Sequence, residues 1–546
     1  MVTPAVSRAL LLVAAAALGA AQEKPRPSGL TEHVNVDLVQ LNFLATDRKG
    51  RPVSDLRANE VEISEGGVPQ AVALLQRYYL PKSASGEPGS AVPPPEPLAP
   101  APARSVTPGR WIALVVDNYA TTTPTAIRAI EALRKFLETG LAPGDQVALI
   151  HFAGKIDVLQ GFTTDKERLE RACDTAVSVT NRAVEDRFGS LDGLISDMTS
   201  CRGRSNSLGC VEKYAAAYQD ARFREADALM TALTTIVRSL APIPDIKTLV
   251  LFSEGFSRDP AGDAQDAARV SLGARAPQLV IAGSGTEELD AEYEKLSEAA
   301  ASAKVSIFTV NPGGAAKNSL VSARRGGFID EASGALQIDP FRRSEQNRQA
   351  GLADLAHRTG GTATQGTDAF RDLQGVVNLS AGLYTVAYYP RGDIPISRLR
   401  DVRIRVLRKG VRVEGRRELP RPESYPPLTG ELTLAPDPCS DRGRRAVVMK
   451  LRLDRSRLLF EDLEGKRSAN FSVFIRLLVG DAAEPAFQDY RFLNITNTAK
   501  EFDSHAEPDP VIEETLTLPC KAVTVAITAS DAGSGARGEF TAALLP

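Results

Sequence analysis

Arg110-Trp-Ile-Ala-Leu-Val-Val-Asp-Asn-Tyr-Ala-Thr-Thr-Thr-Pro124 is the stretch on which the fold turns. Its residues Trp111 to Val116 are apolar without interruption, the pattern of a short strand buried on both faces. The run stops at Asp117, passes through small hydroxyl residues and meets a helix start. Thr123 suits the cap of that helix, and Pro124 its first position, where the N–H it lacks would have no partner. In an open α/β sheet, ligands gather beyond the carboxyl ends of the strands. Asp117 is therefore the first residue to suspect of chemistry.

Strand and helix signals alternate outward from that stretch across residues 110–418. Ile127, Ile130, Leu133 and Leu137 recur at helical spacing within Pro124–Glu138. Strands follow at Gly144–Phe152, Lys247–Phe252, Val305–Val310 and Leu383–Tyr389, with an edge strand at Lys155–Phe162. Helices are expected at Asp165–Val179, Tyr218–Leu240, Glu287–Ala303, Ala350–Thr359 and Asp368–Ser380, and residues 181–215 read as a polar, irregular insertion. This alternation predicts a doubly wound, Rossmann-like α/β domain with a mostly parallel sheet. Before it, residues 32–80 read as a small N-terminal β module, joined by a Pro/Ala-rich linker at 81–109. After it, residues 430–546 return to strands with little helical periodicity, which predicts a C-terminal β-sandwich. The expected fold class is multidomain, a central α/β domain flanked by two β modules.

The bulk numbers agree with several domains. At 546 residues the chain is too long for one hydrophobic core. Its 65 basic and 68 acidic residues leave a formal net charge of −3, so it carries no basic footprint for nucleic acid and no polybasic membrane patch. At the N-terminus, Arg8 precedes the apolar run Ala9–Leu18, and Gly19-Ala-Ala21 offers small residues before Gln22. This is the pattern of a secretory signal peptide over residues 1–21. No later run is long enough for a membrane span, and the mature protein is expected to be secreted or periplasmic. Five cysteines suit an oxidising compartment. Cys201 and Cys210 flank a polar loop that a disulfide would pin, and Cys439 and Cys520 lie near the two ends of the last β-rich segment. Cys173, inside a helical run, reads as a buried small hydrophobe.

Val115-Val-Asp117 opening the α/β domain, with Leu249-Val-Leu-Phe-Ser-Glu-Gly-Phe256 ending a central strand, resembles the von Willebrand factor A (VWA) domain. The layout is similar, more narrowly, to bacterial secreted proteins described as VWFA-related. Thr46–Val53, Leu355-Ala-His-Arg-Thr-Gly-Gly361, Tyr384-Thr-Val-Ala-Tyr-Tyr-Pro390 and Val402–Leu407 carry that likeness, which spans about residues 32–420. The resemblance implies adhesion-type binding through a metal-ion-dependent adhesion site, in which a partner's carboxylate displaces a water on Mg²⁺, or on Mn²⁺ or Ca²⁺ in its place. By position, Asp117 matches the first Asp of that site, Tyr119 the first Ser, Thr121 the second Ser, and Glu254 the third-loop Asp. The second-loop Thr would come from residues 181–215, with Ser190, Thr199 and Ser200 as candidates.

Two of these positions depart from the pattern. A Tyr hydroxyl lies at the end of a rigid ring and cannot stand where a Ser oxygen would. Glu254 is a methylene longer than Asp, while Mg²⁺ demands octahedral oxygens at about 2.0–2.1 Å. The site is thus a degenerate one, and two readings stay open. Asp117, Thr121 and Glu254 hold a metal, or Asp117 and Thr121 merely cap the following helix and orient the loop.

Other signals are weaker. Gly283-Ser-Gly-Thr-Glu-Glu288 lacks a third glycine, and its acids would repel a pyrophosphate at a helix start. Arg391-Gly-Asp393 is explained by a turn after a strand, and Asn470-Phe-Ser472 and Asn494-Ile-Thr496 are glycosylation acceptors only in a source that glycosylates. The four histidines, His33, His151, His357 and His505, are scattered and form no known catalytic motif. His151 ends a strand at the same sheet edge as Asp117, which keeps a hydrolase as a distant alternative. The sequence therefore favours a non-enzymatic binding protein with a protein or cell-envelope partner. A structural scaffold without metal is the alternative.

Overall fold

The structure is a computed structural model that describes residues 39–77, 109–181, 190–273, 286–314, 339–364, 366, 368–390, 399–415, 418–420, 427–440, 443–463, 466–480, 485, 487–498 and 509–545. The expected signal peptide, the linker up to residue 108, Gly283-Ser-Gly285, the Arg391-Gly-Asp393 tripeptide, His33 and His505 lie outside these residues.

The first described strands are β1 (Val39–Thr46), β2 (Val61–Glu65), β3 (Val68–Gln70) and β4 (Val72–Arg77). Then come β5 (Trp111–Asp117), α1 (Thr123–Thr139), β6 (Gln146–Phe152), β7 (Ile156–Thr163), α2 (Lys166–Thr180), α3 (Leu191–Ser200) and α4 (Ser207–Ser239). β8 (Lys247–Phe252), α5 (Pro260–Leu272), α6 (Thr286–Ser302), β9 (Val305–Val310), α7 (Pro340–Arg358), β10 (Ala363–Thr364) and α8 (Ala369–Leu379) follow. The chain continues with β11 (Leu383–Tyr388), β12 (Leu399–Val406), β13 (Arg412–Gly415) and β14 (Glu418–Pro420). The last strands are β15 (Gly430–Pro436), β16 (Arg444–Leu453), β17 (Glu461–Leu463), β18 (Lys466–Val479), β19 (Phe487–Thr498), β20 (Val511–Pro519), β21 (Val523–Asp531) and β22 (Arg537–Leu544).

β5 lies at the centre, every residue buried, in a six-stranded sheet of order β10-β9-β8-β5-β6-β7. All neighbours run parallel except β7, which returns antiparallel along β6. Successive side chains of a strand point to opposite faces, so this one run serves two cores. Ile112, Leu114 and Val116 pack with Ile130, Leu133 and Phe136 of α1, Cys173 of α2 and Val376 of α8. Trp111, Ala113 and Val115 pack on the other side with Leu229, Leu233 and Val237 of α4, Leu296 of α6 and Leu355 of α7.

Residues 181–215 differ from the irregular insertion that their polarity suggests, since α3 and the first turns of α4 occupy much of the segment. Their apolar face is thin: Leu194, Met198 and Cys201 meet Val211, Ala215 and Tyr218, and all close on Ala264, Ala267 and Ala268 of α5. A bond between Cys201 and Cys210 ties the turn that joins the two helices. A helix that buries only a few, widely spaced residues gives a weak periodic signal.

β11 is buried throughout, as expected of a parallel strand, yet it leaves the parallel order. It pairs antiparallel with β1 and β4 in a sheet of order β13-β1-β11-β4, and a second sheet, β14-β12-β2-β3, shares its core. Phe43 and Tyr384 stack at 5.3 Å between ring centroids, and the Tyr384 hydroxyl accepts the Leu56 N–H at 2.9 Å. The first β module is therefore completed by strands that come after the parallel sheet in sequence.

At the other end, β15-β16-β20 and a sheet of β17-β18-β21-β22 with β19 beside β18 enclose a shared core of Met449, Leu451, Val473, Ile475, Val525 and Ile527. Cys439 and Cys520 are bonded. β19 and β22 give little strand signal in the sequence, because polar residues interrupt both runs. These sheets dock on the parallel body through aromatic edges: Trp111 meets Phe474 at 5.8 Å and Phe162 at 5.0 Å, and Phe162 meets Tyr490 at 5.3 Å. The Ser472 and Tyr490 hydroxyls donate to the Ser239 carbonyl at 2.6 and 2.9 Å, satisfying a carbonyl that a helix end leaves without a partner. Among the described residues, no helix is long and apolar enough to cross a membrane.

Candidate functional site at the carboxyl edge of the parallel sheet

β5 and β8 are parallel neighbours with Val116 opposite Phe252, so Asp117 and Ser253 emerge side by side at the carboxyl edge. Asp117 is fully buried and both its oxygens are taken. Oδ1 accepts the N–H groups of Tyr119 and Ala120 at 2.8 and 3.0 Å. Oδ2 accepts the Ser253 hydroxyl at 2.6 Å and the Thr121 hydroxyl at 3.3 Å. Thr121 Oγ1 in turn accepts the Glu254 N–H at 2.9 Å. Asp117, Thr121 and Glu254, far apart in sequence, are thus joined in one chain of hydrogen bonds.

The Glu254 carboxylate turns to the start of α1. It accepts the hydroxyls of Thr125 at 2.6 Å and Thr122 at 3.2 Å, and the Thr122 N–H at 3.2 Å. The sequence suggested Thr123 as the cap. Instead Thr122 takes the cap position without a side-chain cap bond of its own, and an acid from the next strand supplies the acceptor. Negative charge there also complements the positive end of the helix dipole.

A buried charge cluster that the sequence did not reveal completes the site. Gly255, at φ +86°, lies so close to α7 that a Cβ would meet the Arg348 carbonyl at 2.5 Å, and a Cβ on Gly351 would meet the Phe256 carbonyl at 2.5 Å. Only glycines allow this approach, and it brings Arg348 over the edge. Its Nη2 donates to the Ala120 carbonyl at 2.7 Å and its Nε to the Glu254 carbonyl at 3.4 Å. Nη1 lies 3.8 Å from Glu225 of α4, which Arg222 also holds at 2.7 Å. Burial opposes the Arg348 charge, but Glu225, Glu254 and Glu345 outweigh it and keep its pKa above the usual value. Burial raises the pKa of Asp117 against its hydrogen bonds to Ser253, Ala120 and Tyr119 and the charge of Arg348. Burial also raises that of Glu225, against the two arginines. Asp263 braces the loop beyond Glu254, accepting from Ser257, Ser344 and Asn347 at 2.7, 3.3 and 2.8 Å. The sequence signal for this cluster is the carboxylate of Glu225 beside apolar Ala226 and Leu229 on α4, with Arg222 one turn before it. Arg348 has none, lying in an arginine-rich stretch.

The remaining candidates stand elsewhere. The Tyr119 ring packs on Phe152, 5.3 Å between centroids, which accounts for a large residue where a Ser was expected. His151 Nε2 contacts the Thr180 hydroxyl at 3.2 Å rather than Asp117. Ser190 caps α3, while Thr199 and Ser200 bond back to carbonyls of that helix. An octahedral cation needs several oxygens turned toward one centre. Here the oxygens of Asp117, Thr121 and Glu254 are each turned to a hydrogen donor, and Arg348 brings positive charge into the same cleft. As arranged, this donor set does not fit Mg²⁺, Mn²⁺ or Ca²⁺. Among the described residues, no group of three or more His, Cys, Asp or Glu stands together as a metal cluster.

No protein-family model and no curated protein matches this chain. Solved structures that it resembles include an aerotolerance-related membrane protein from Bacteroides fragilis, at 12% identity, and BatB from Bacteroides thetaiotaomicron, at 11%. Each match covers 50% of this chain and 98% of the other, with a TM-score of 0.23.

Proposed function

We propose that this chain is an extracytoplasmic binding protein of the VWA class, which presents the carboxyl edge of its parallel sheet to a protein or cell-envelope partner. In this reading the adhesion site is degenerate and works without metal, with Arg348 supplying the positive charge. The observation that carries it is the hydrogen-bond chain from Asp117 through Thr121 to Glu254, which joins two central strands where such folds bind ligands. The two bonded cysteine pairs and the signal-like N-terminus support the location. The α/β body between two β modules, the second a β-sandwich, supports the class.

A scaffold role is the second reading, favoured by one observation: every described acceptor site on Asp117 is already used inside the molecule. Calorimetric titration of Mg²⁺ and Mn²⁺ into wild type and Asp117→Ala, with partner capture from an envelope extract with and without EDTA, separates the readings. Flat titrations, with capture that survives EDTA and is lost in Arg348→Gln, are expected. Metal binding that disappears in Asp117→Ala would overturn the metal-free site. Capture unchanged in both variants would favour the scaffold.

A further inference from the structure

At the opposite, amino edge of the parallel sheet lies a cavity of about 550 Å³, walled by the connection from α4 to β8, the turn between α6 and β9, and strands β18, β21 and β22. Four cationic side chains line it, Lys247, Lys304, Arg476 and Arg537, against one acid, Glu539. Lys247, the first residue of β8, is only 1% exposed. Its Nζ donates to the Ile243 carbonyl at 2.5 Å, which uses one of the three protons of an ammonium. It has no carboxylate in ion-pair reach among the described residues. Lys304 Nζ reaches only the Pro244 carbonyl, at 3.1 Å. Arg537 spends donors on the Ser302 carbonyl and hydroxyl, at 3.4 and 2.9 Å. The Nε of Arg476 is buried with no acceptor.

Burying a cation without a partner is costly, and the usual remedies are an opposite charge or loss of the proton. Burial, with Lys304 and Arg537 close by, drives the Lys247 ammonium well below a lysine's ordinary range, which Asp245 offsets only in part. An anion in the cavity would reverse that balance. It would offer acceptors to the spare protons of Lys247 and Arg476 at once, and charge-assisted bonds of this kind are the strong ones. The volume falls in the range of small-molecule sites and exceeds what a single inorganic phosphate fills.

We propose that this cavity binds a small polyvalent oxyanion, of diphosphate or tricarboxylate size, with the Lys247 ammonium at its floor and Arg476 and Arg537 on its walls. The site is independent of the carboxyl-edge reading, being built at the other end of the strands. Its test is calorimetry and thermal unfolding of the full chain with pyrophosphate and with citrate, each against KCl at matched ionic strength. Saturable binding of at least one of them is expected, with stabilisation beyond that given by KCl. The tighter of the two assigns the ligand to phosphates or to carboxylates.

Lys247→Met should weaken binding by about tenfold or more, the loss of one charge-assisted contact. Arg537→Gln should weaken it in the same direction, and Glu539→Gln should tighten it. Absence of saturable binding by both probes would overturn the proposal, as would undiminished affinity in Lys247→Met. If that variant does not fold, unchanged affinity in both Arg537→Gln and Glu539→Gln overturns it instead.

Discussion

Asp117 shows what one residue can disclose. An acid that ends a fully apolar strand and opens onto a helix has few bland explanations, and the structure places it in a buried hub of hydrogen bonds. Arg348 and Glu225 stayed hidden because their role depends on helices that meet only in three dimensions. His151 carries a pH dependence. Burial lowers its pKa from the ordinary 6.5, and Asp157 opposes this weakly. The unfolded chain therefore binds the proton more readily, so the stability His151 contributes is present above about pH 6.5 and is lost as the pH falls below it. Thermal unfolding between pH 7 and pH 5 is expected to show a shallower loss of stability in His151→Gln than in wild type. Cys173 gives a second test. Burial pushes its thiol up to about 11, and a thiol needs its thiolate form to react. A thiol reagent at neutral pH is expected to leave Cys173 untouched in the native protein and to label it once urea unfolds the chain.

Elements built from dense apolar runs were legible, and those held by tertiary or covalent ties were not. The β5 run reads as a strand because six apolar residues stand together in a stretch too short for a helix, and β8 and β9, each with four apolar residues of six, are legible on the same grounds. β11 is equally apolar, but a strand buried on both faces looks the same whether its neighbours run parallel or antiparallel. Its pairing with β1 rests on matches such as Phe43 with Tyr384, which no local pattern announces. α3 depends on the thin contact with α5 and on its disulfide. The two bonds should differ in weight, because a cross-link restricts the unfolded chain more when its loop is longer. Cys201 and Cys210 are 9 residues apart and Cys439 and Cys520 are 81 apart. Replacing the first pair by Ser is expected to cost roughly 2–3 kcal/mol and the second roughly 4–5 kcal/mol in urea unfolding, on the loop-entropy scale. A larger loss from the shorter loop would show that α3 is held chiefly by its bond.

For the molecule as a whole, two seams matter. One is aromatic: Trp111, Phe162, Phe474 and Tyr490 lock the last β sheets onto the amino edge of the parallel body. Trp111 is the chain's one tryptophan, so its fluorescence reports this seam directly. Phe474→Ala is expected to cost about 3–5 kcal/mol, as large-to-small changes in a packed core do, and to shift the Trp111 emission to the red. An unshifted emission would mean that the seam closes without that ring. The other seam is the pairing of β1 with β11, where Thr385 donates to Asn42 at 2.7 Å across 343 residues of sequence. A ribosome adding roughly 5–20 residues each second needs on the order of tens of seconds to make that intervening length. Through all of that time the earliest strands carry bare edges, which invite pairing with other chains. The module made first is therefore the one that must be shielded longest, and a holding chaperone on the nascent chain would have its main work there.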